Sequence, residues 1–326
     1  MARWEDVNAR VSGLASRLIA PDALAALARV QDLQEMSRTF AGMGLIPEEI
    51  PNATAPLMEL ALRRKAGHEI ALIRRWLGSR TEVAVALDAE DRRSLRALVR
   101  GAAAGAPADA RLTGLLPTPT LPERLLRDLA SRSSIREQAA LLVAAGHPSG
   151  PALLEAAADS EPDLFAVELA ISRAFAERAR RTAGRGGSLL REYVGDLIDG
   201  DNCRSALLLA GGAGGDPAGP AFIVGGRRLT RELFERSAAT GDPDRAARQL
   251  GRAFPAETSA ALLRHADAPA ALEAALEAQQ TSRLTRAARC DPLGPAPLLL
   301  FFRRLRTQAV ALGEQVWRLD LQVASE

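Results

Sequence analysis

Three aspartates recur in similar settings along this chain. Leu87-Asp88-Ala89-Glu90-Asp91-Arg92-Arg93-Ser94 is matched by Ile198-Asp199-Gly200-Asp201-Asn202-Cys203-Arg204-Ser205, 111 residues on, and a third aspartate opens Asp291-Pro292-Leu293-Gly294. Carboxylates repeated in this way could do acid–base work, or could accept the free N–H groups of a helix's first turn. The neighbours favour the second role. Each aspartate precedes an apolar helical stretch, Asp91 and Asn202 fall three residues later near a capping-box position, and Glu90 and Asp201 put negative charge where the helix dipole favours it. Pro292 takes the first helical position in the third copy, where proline is tolerated. Asp88, Asp199 and Asp291 are therefore expected to be helix caps. Upstream, Glu59 and Glu168 are natural ion-pair partners for Arg93 and Arg204, while the third copy has Glu273 but Ala296 in the arginine's place.

Other chemistry finds little support. His68, His147 and His265 are isolated from one another and from cysteine at metal-ligand spacing, and His68-Glu69 is not followed by the second histidine of a zinc-protease helix. Cys203 and Cys290 are too few for a disulfide framework; each reads as a buried thiol in a reducing compartment. No Gly-x-Ser-x-Gly elbow occurs. Gly211–Gly215 follows a helix, and Pro217 stands where a dinucleotide fingerprint needs glycine, so the run reads as a connection. Lys65 is the only lysine among 42 basic residues, and it lies in Arg-Lys-Ala-Gly, which excludes a phosphate-binding P-loop. No catalytic residue, metal site or cofactor is expected.

The elements that would hold these residues are helical. Leu24, Leu27, Val30, Leu33, Met36 and Phe40 recur at three or four residues, and most of the chain repeats that period. Ala221-Phe222-Ile223-Val224 is the best strand candidate. The composition is that of a globular protein: 326 residues, 47% hydrophobic, 25% charged, net charge +2. A charge so near zero gives no reason to expect nucleic acid as a partner. The N-terminus shows no apolar signal core, and Leu293–Phe302 is too short to span a membrane. The expectation is a soluble, all-α protein.

The matches extend beyond the aspartates. Met58–Arg64, Val167–Arg173 and Leu272–Glu277 form one set of similar helices; Leu121–Leu126 and Leu229–Phe234 form another; Leu27–Glu35 resembles Leu129–Glu137. Their common order suggests three similar helical units, at 45–147, 148–256 and 257–326 together with 1–44, the third split between the chain termini. Such a split fits a closed arrangement better than an open solenoid.

With these residues in view, the chain resembles the central-stalk C subunits of archaeal and bacterial V/A-type rotary ATPases, known in the vacuolar enzyme as the d-subunit family. The resemblance rests on Val7-Asn8-Ala9-Arg10-Val11, on Leu190-Arg191-Glu192-Tyr193 leading into Asp199–Ala206, on Ala221–Arg227, and on Asp291–Gly294 with the final helix. It implies an all-helical, funnel-shaped body of three similar units about a pseudo-three-fold axis. It implies a non-catalytic protein that docks the rotating shaft on the membrane rotor ring and couples ATP hydrolysis or synthesis to ion translocation. The implied place is peripheral, at the cytoplasmic face, touching the membrane only through the ring, with the isolated chain a monomer. One departure is basic: Arg303, Arg304 and Arg306 stand where the family's last helix usually carries acids. Arg227, Arg228, Arg303, Arg304 and Arg306 are the candidate partner contacts. The alternative is a free-standing helical scaffold for some other protein.

Overall fold

A computed structural model describes residues 4–78, 80–159, 161–212 and 219–323. Within them the chain forms sixteen α-helices and no strand, so the all-α expectation holds. The Gly211–Gly215 run lies largely outside the described residues, as does Pro217.

The helices fall into two compact units. The first comprises residues 1–138 and 297–326. It contains α1 (Trp4–Ala15), α2 (Pro21–Leu27), α3 (Leu33–Gly42), α4 (Ala55–Leu77), α5 (Thr81–Ala103), α6 (Ala108–Arg111) and α7 (Glu123–Ala130); α8 (Ile135–Ala144) leaves it. The second, residues 139–296, contains α9 (Gly150–Ala156), α10 (Leu164–Ala183), α11 (Ser188–Ala210), α12 (Arg231–Ala238), α13 (Pro243–Gly251), α14 (Ala256–Arg264) and α15 (Pro269–Cys290). The last helix, α16 (Ala296–Val323), belongs almost wholly to the first unit.

The first unit's core joins the two ends of the chain. Val7, Val11 and Leu14 of α1 pack with Ile70 and Ile73 of α4 and with Leu298, Phe301 and Leu305 of α16. Further along, Met36 and Phe40 of α3 meet Met58 and Leu62 of α4 and Leu312, Val316 and Leu319 of α16. Each of these side chains, once withdrawn from water, contributes about 1.5–3 kcal/mol. In the second unit the core is built on small residues: Ala206 and Ala210 of α11 and Ala246 and Ala247 of α13, filled by Leu207, Phe234, Leu250, Leu262 and Leu272.

The helix caps are not those the sequence suggested. Asp88 lies well inside α5 and Asp199 inside α11, so neither caps a helix. No glycine or proline interrupts residues 79–100, and α5 starts after Gly78, whose φ of 60° ends α4. In α11 the interior Gly200 costs about 1 kcal/mol against alanine, which packing overrides. Asp291 closes α15, its N–H donating to the Ala287 carbonyl at 2.9 Å, and α16 begins only at Ala296, so Pro292 is not at its first turn. Working caps stand elsewhere. Asp32 accepts the Glu35 N–H at 2.7 Å, Asp163 that of Phe165 at 3.0 Å, and Thr230 that of Leu233 at 3.3 Å. Asp242 accepts from Asp244 and Arg245 at 2.9 and 3.2 Å.

Candidate functional site

Asp199 has another task in the second unit. Its carboxylate accepts three successive backbone N–H groups of the segment after α11: Arg227 and Arg228 on Oδ2, both at 2.9 Å, and Leu229 on Oδ1 at 3.2 Å. One turn along α11, Asn202 does the same for the segment's start. Its Oδ1 accepts the Ile223 N–H and its Nδ2 donates to the Ile223 carbonyl, each at 2.8 Å. The side-chain amide pairs with that backbone as a neighbouring strand would, and Ala221–Val224, the expected strand, forms none, Ala221 closing a 3-10 turn. Two glycines make the close approach possible. A methyl on Gly226 would overlap the Asp199 carboxylate, and one on Gly225, whose φ is 116°, would overlap the Arg180 side chain. Arg180 Nη1 also donates to the Val224 carbonyl at 3.3 Å.

This clamp pins the backbone and leaves the arginine side chains outside. Arg227 and Arg228 are both exposed. Arg227 reaches back to Glu192 at 3.5 Å and Asp196 at 3.4 Å, while Arg283 of α15 holds the other oxygen of Asp196 at 2.9 Å. Together with Tyr193 and Arg286 they line a cleft of about 320 Å³. The side chains of Arg228 and Arg286 have no hydrogen-bond or ion-pair partner among the described residues. The cleft can therefore hold negative charge.

Behind the clamp the chemistry is quiet. Burial raises the Asp199 carboxyl above its ordinary range, opposed by its three N–H donors. Burial, aided by Asp199, pushes the Cys203 thiol up, which makes it a packing residue. Cys290 is exposed at the end of α15, contrary to expectation, because the chain leaves the packed layer there. Buried His147 accepts the Ser149 N–H on Nδ1 at 3.1 Å. The expected ion pair between Glu168 of α10 and Arg204 of α11 is present and buried. Its counterpart in the first unit is not formed. Glu59 faces Arg63 at 3.6 Å and accepts the Gly114 N–H at 2.8 Å, while Arg93 meets Glu90 at 3.4 Å.

The arginines of α16 divide. Arg304 is exposed. Arg303 is only 3% exposed, and Arg306 donates from Nη1 to Glu90 at 2.8 Å and to the Gly114 carbonyl at 2.6 Å. Arg303 and Arg306 are taken up within the chain, because both share a face of α16 with the buried Leu299. Asp196 and Arg283 were missed by sequence reading. Asp196 stands three residues before Asp199, a spacing that puts both on one helix face.

A sequence model described as ATP synthase (C/AC39) subunit matches residues 7–307. The chain belongs to this family. Two relatives are the C subunits of the V-type ATP synthase from two strains of Thermus thermophilus, each 32% identical over 159 residues. That stretch is 48% of this chain and 47% of each relative, so the chain spans about half the length of the curated relatives it matches. Among the described residues, no helix is long and apolar enough to cross a membrane.

Proposed function

We propose that the chain is the non-catalytic central-stalk subunit of a V/A-type rotary ATPase, docking the rotating shaft onto the membrane rotor ring. The observation that carries this reading is family membership over residues 7–307, which include the clamped basic loop. In this reading three helical units, 45–147, 148–256 and 257–326 with 1–44, surround a pseudo-three-fold axis in a funnel. Three consecutive pairs of long helices, α4–α5, α10–α11 and α15–α16, support it. Arg227, Arg228 and Arg304 are the proposed partner contacts. The protein sits at the cytoplasmic face, held through the ring, as a monomer when released.

The test is co-purification from detergent-solubilised membranes, read by mass spectrometry. Shaft and ring proteins should accompany the tagged chain, high ionic strength should strip it, and Arg227→Glu/Arg228→Glu should release it at lower salt. Recovery of neither would favour a free-standing scaffold.

A further inference from the structure

A second basic surface lies on α4, in the first unit. Arg64, Arg74 and Arg75 are exposed. None has a side-chain hydrogen bond or ion pair among the described residues. Arg64, Gly67, Ala71, Arg74 and Arg75 share one helix face, spaced as an amphipathic stripe is spaced. The arginines stand about 15 Å apart along the axis at 1.5 Å per residue, and small residues form the floor between them.

The floor has a wall. Pro117, Pro119 and Pro122 run beside α4 and enclose with it a groove of about 660 Å³. Pro117 sits so close that a methyl on Gly67 would meet its Cβ at 3.3 Å. The wall is fixed from behind, since Thr118 and Thr120 both donate their hydroxyls to Asp91 of α5. The one acid in the lining, Glu123, is engaged by Arg63 at 3.2 Å and Arg127 at 3.7 Å. A helix's last turn favours cations, which accounts for Arg74 and Arg75 but not for Arg64.

We propose that this groove docks an acidic segment of a partner protein, carboxylates on Arg64 and on the Arg74–Arg75 pair, apolar or small residues over Gly67 and Ala71. Charge complementarity selects the occupant. A nucleic-acid strand would want aromatic rings to stack on, and none lines the groove. A lipid surface would want an apolar side chain to insert beside the arginines, and the large exposed apolar residues lie elsewhere. This surface is separate from the clamped loop, and the proposal stands whichever complex the chain enters.

The test is fluorescence anisotropy on the full chain with a short labelled peptide rich in Glu, Ala and Leu, and with its Gln counterpart. The Glu peptide should bind, weakening as salt rises, and the Gln peptide should not. Arg64→Glu/Arg74→Glu/Arg75→Glu should reduce affinity about tenfold or more, while Arg181→Glu, at an exposed position of α10, leaves it unchanged. The Arg→Gln triple keeps helix propensity and gives the same reading if the Glu triple folds poorly. Equal binding by wild type and triple variant, or no binding of the Glu peptide, would overturn the proposal. So would triple-sensitive sedimentation with phosphatidylglycerol vesicles in place of peptide binding.

Discussion

Two stretches of this protein solve one problem in different ways. Each must tie an irregular segment to the long helix before it. On α11, Asp199 and Asn202 hold residues 223–229 by their backbone N–H and C=O groups. On α5, Asp91, the counterpart of Asn202, holds residues 118–121 by the hydroxyls of Thr118 and Thr120, and Thr118 Oγ1 accepts the Leu121 N–H at 2.9 Å. A clamp that reads backbone makes no demand on the side chains at 227 and 228, so both arginines stand exposed, although Gly225 and Gly226 of the same segment admit no larger residue. A clamp that reads side chains consumes them, and the α5 segment buries Leu115, Leu116, Thr118 and Leu121. The first arrangement displays a loop; the second builds a wall.

The contrast is sharpest at the buried charges. Removing Arg204 takes the cation from the buried Glu168 carboxylate, so Arg204→Gln should cost about 3 kcal/mol in urea unfolding. A double-mutant cycle with Glu168→Gln should show strong coupling, because the two side chains are in contact and buried. The same cycle on Glu59 and Arg93 should be additive, since Glu59 turns to Arg63 and Gly114. Coupling in the second cycle would erase the difference between the two copies.

Next in size is the backbone clamp. Asp199→Ala leaves three N–H groups without their acceptor, and about 3 kcal/mol should be lost, because each buried unsatisfied group costs about 1–3 kcal/mol and water can reach two of the three. Amide exchange at Arg227, Arg228 and Leu229 should accelerate more than at Leu121. Thr118→Val removes hydroxyl bonds to Asp91 and should cost about 1–2 kcal/mol. It should loosen residues 118–121 without touching 223–229. If exchange rises equally in both segments, the two clamps are not independent.

The helical content and the Glu168–Arg204 pair were legible because they rest on local period and on charges at matched places in similar strings. The caps were not. Asp88 and Asp199 follow apolar stretches and look like starts, yet neither 79–100 nor 188–199 holds a proline, and Gly195 alone does not stop a helix, so both helices begin earlier. The role of Asp199 is tertiary: its partners are 28–30 residues away. The last helix failed similarly. A run of arginines reads as a surface for a partner until the burial of its neighbours is known, and Glu90, the partner of Arg306, is 216 residues distant. The α4 groove escaped notice because Arg64 and Arg74–Arg75 belong to different turns and their proline wall to another segment.

The smallest expected effect concerns pH, and its sign separates the buried carboxyls from an exposed one. Burial raises the carboxyls of Asp199 and of Glu59 above their ordinary ranges. A raised native pKa means the folded state holds the proton more tightly, so the contribution is present below the ordinary carboxyl pKa and is lost as pH rises through the native one. The second unit has Asp199, and the first has Glu69 besides Glu59, its carboxyl likewise pushed up by burial. The first unit has in addition Glu137 at the exposed start of α8, held low by the Ser133 hydroxyl and amide and by the Ser134 amide. A depressed pKa works the other way: its stabilisation is present above the ordinary value and fades as pH falls through the native one. Unfolding measured across the acid range should therefore lose part of its downward slope with rising pH in Asp199→Asn and Glu59→Gln alike. Glu137→Gln should make the slope steeper. No change in the two buried variants would mean that burial does not govern the carboxyls of Asp199 and Glu59, and a flattening in Glu137→Gln would mean that its serine donors do not hold that carboxyl low.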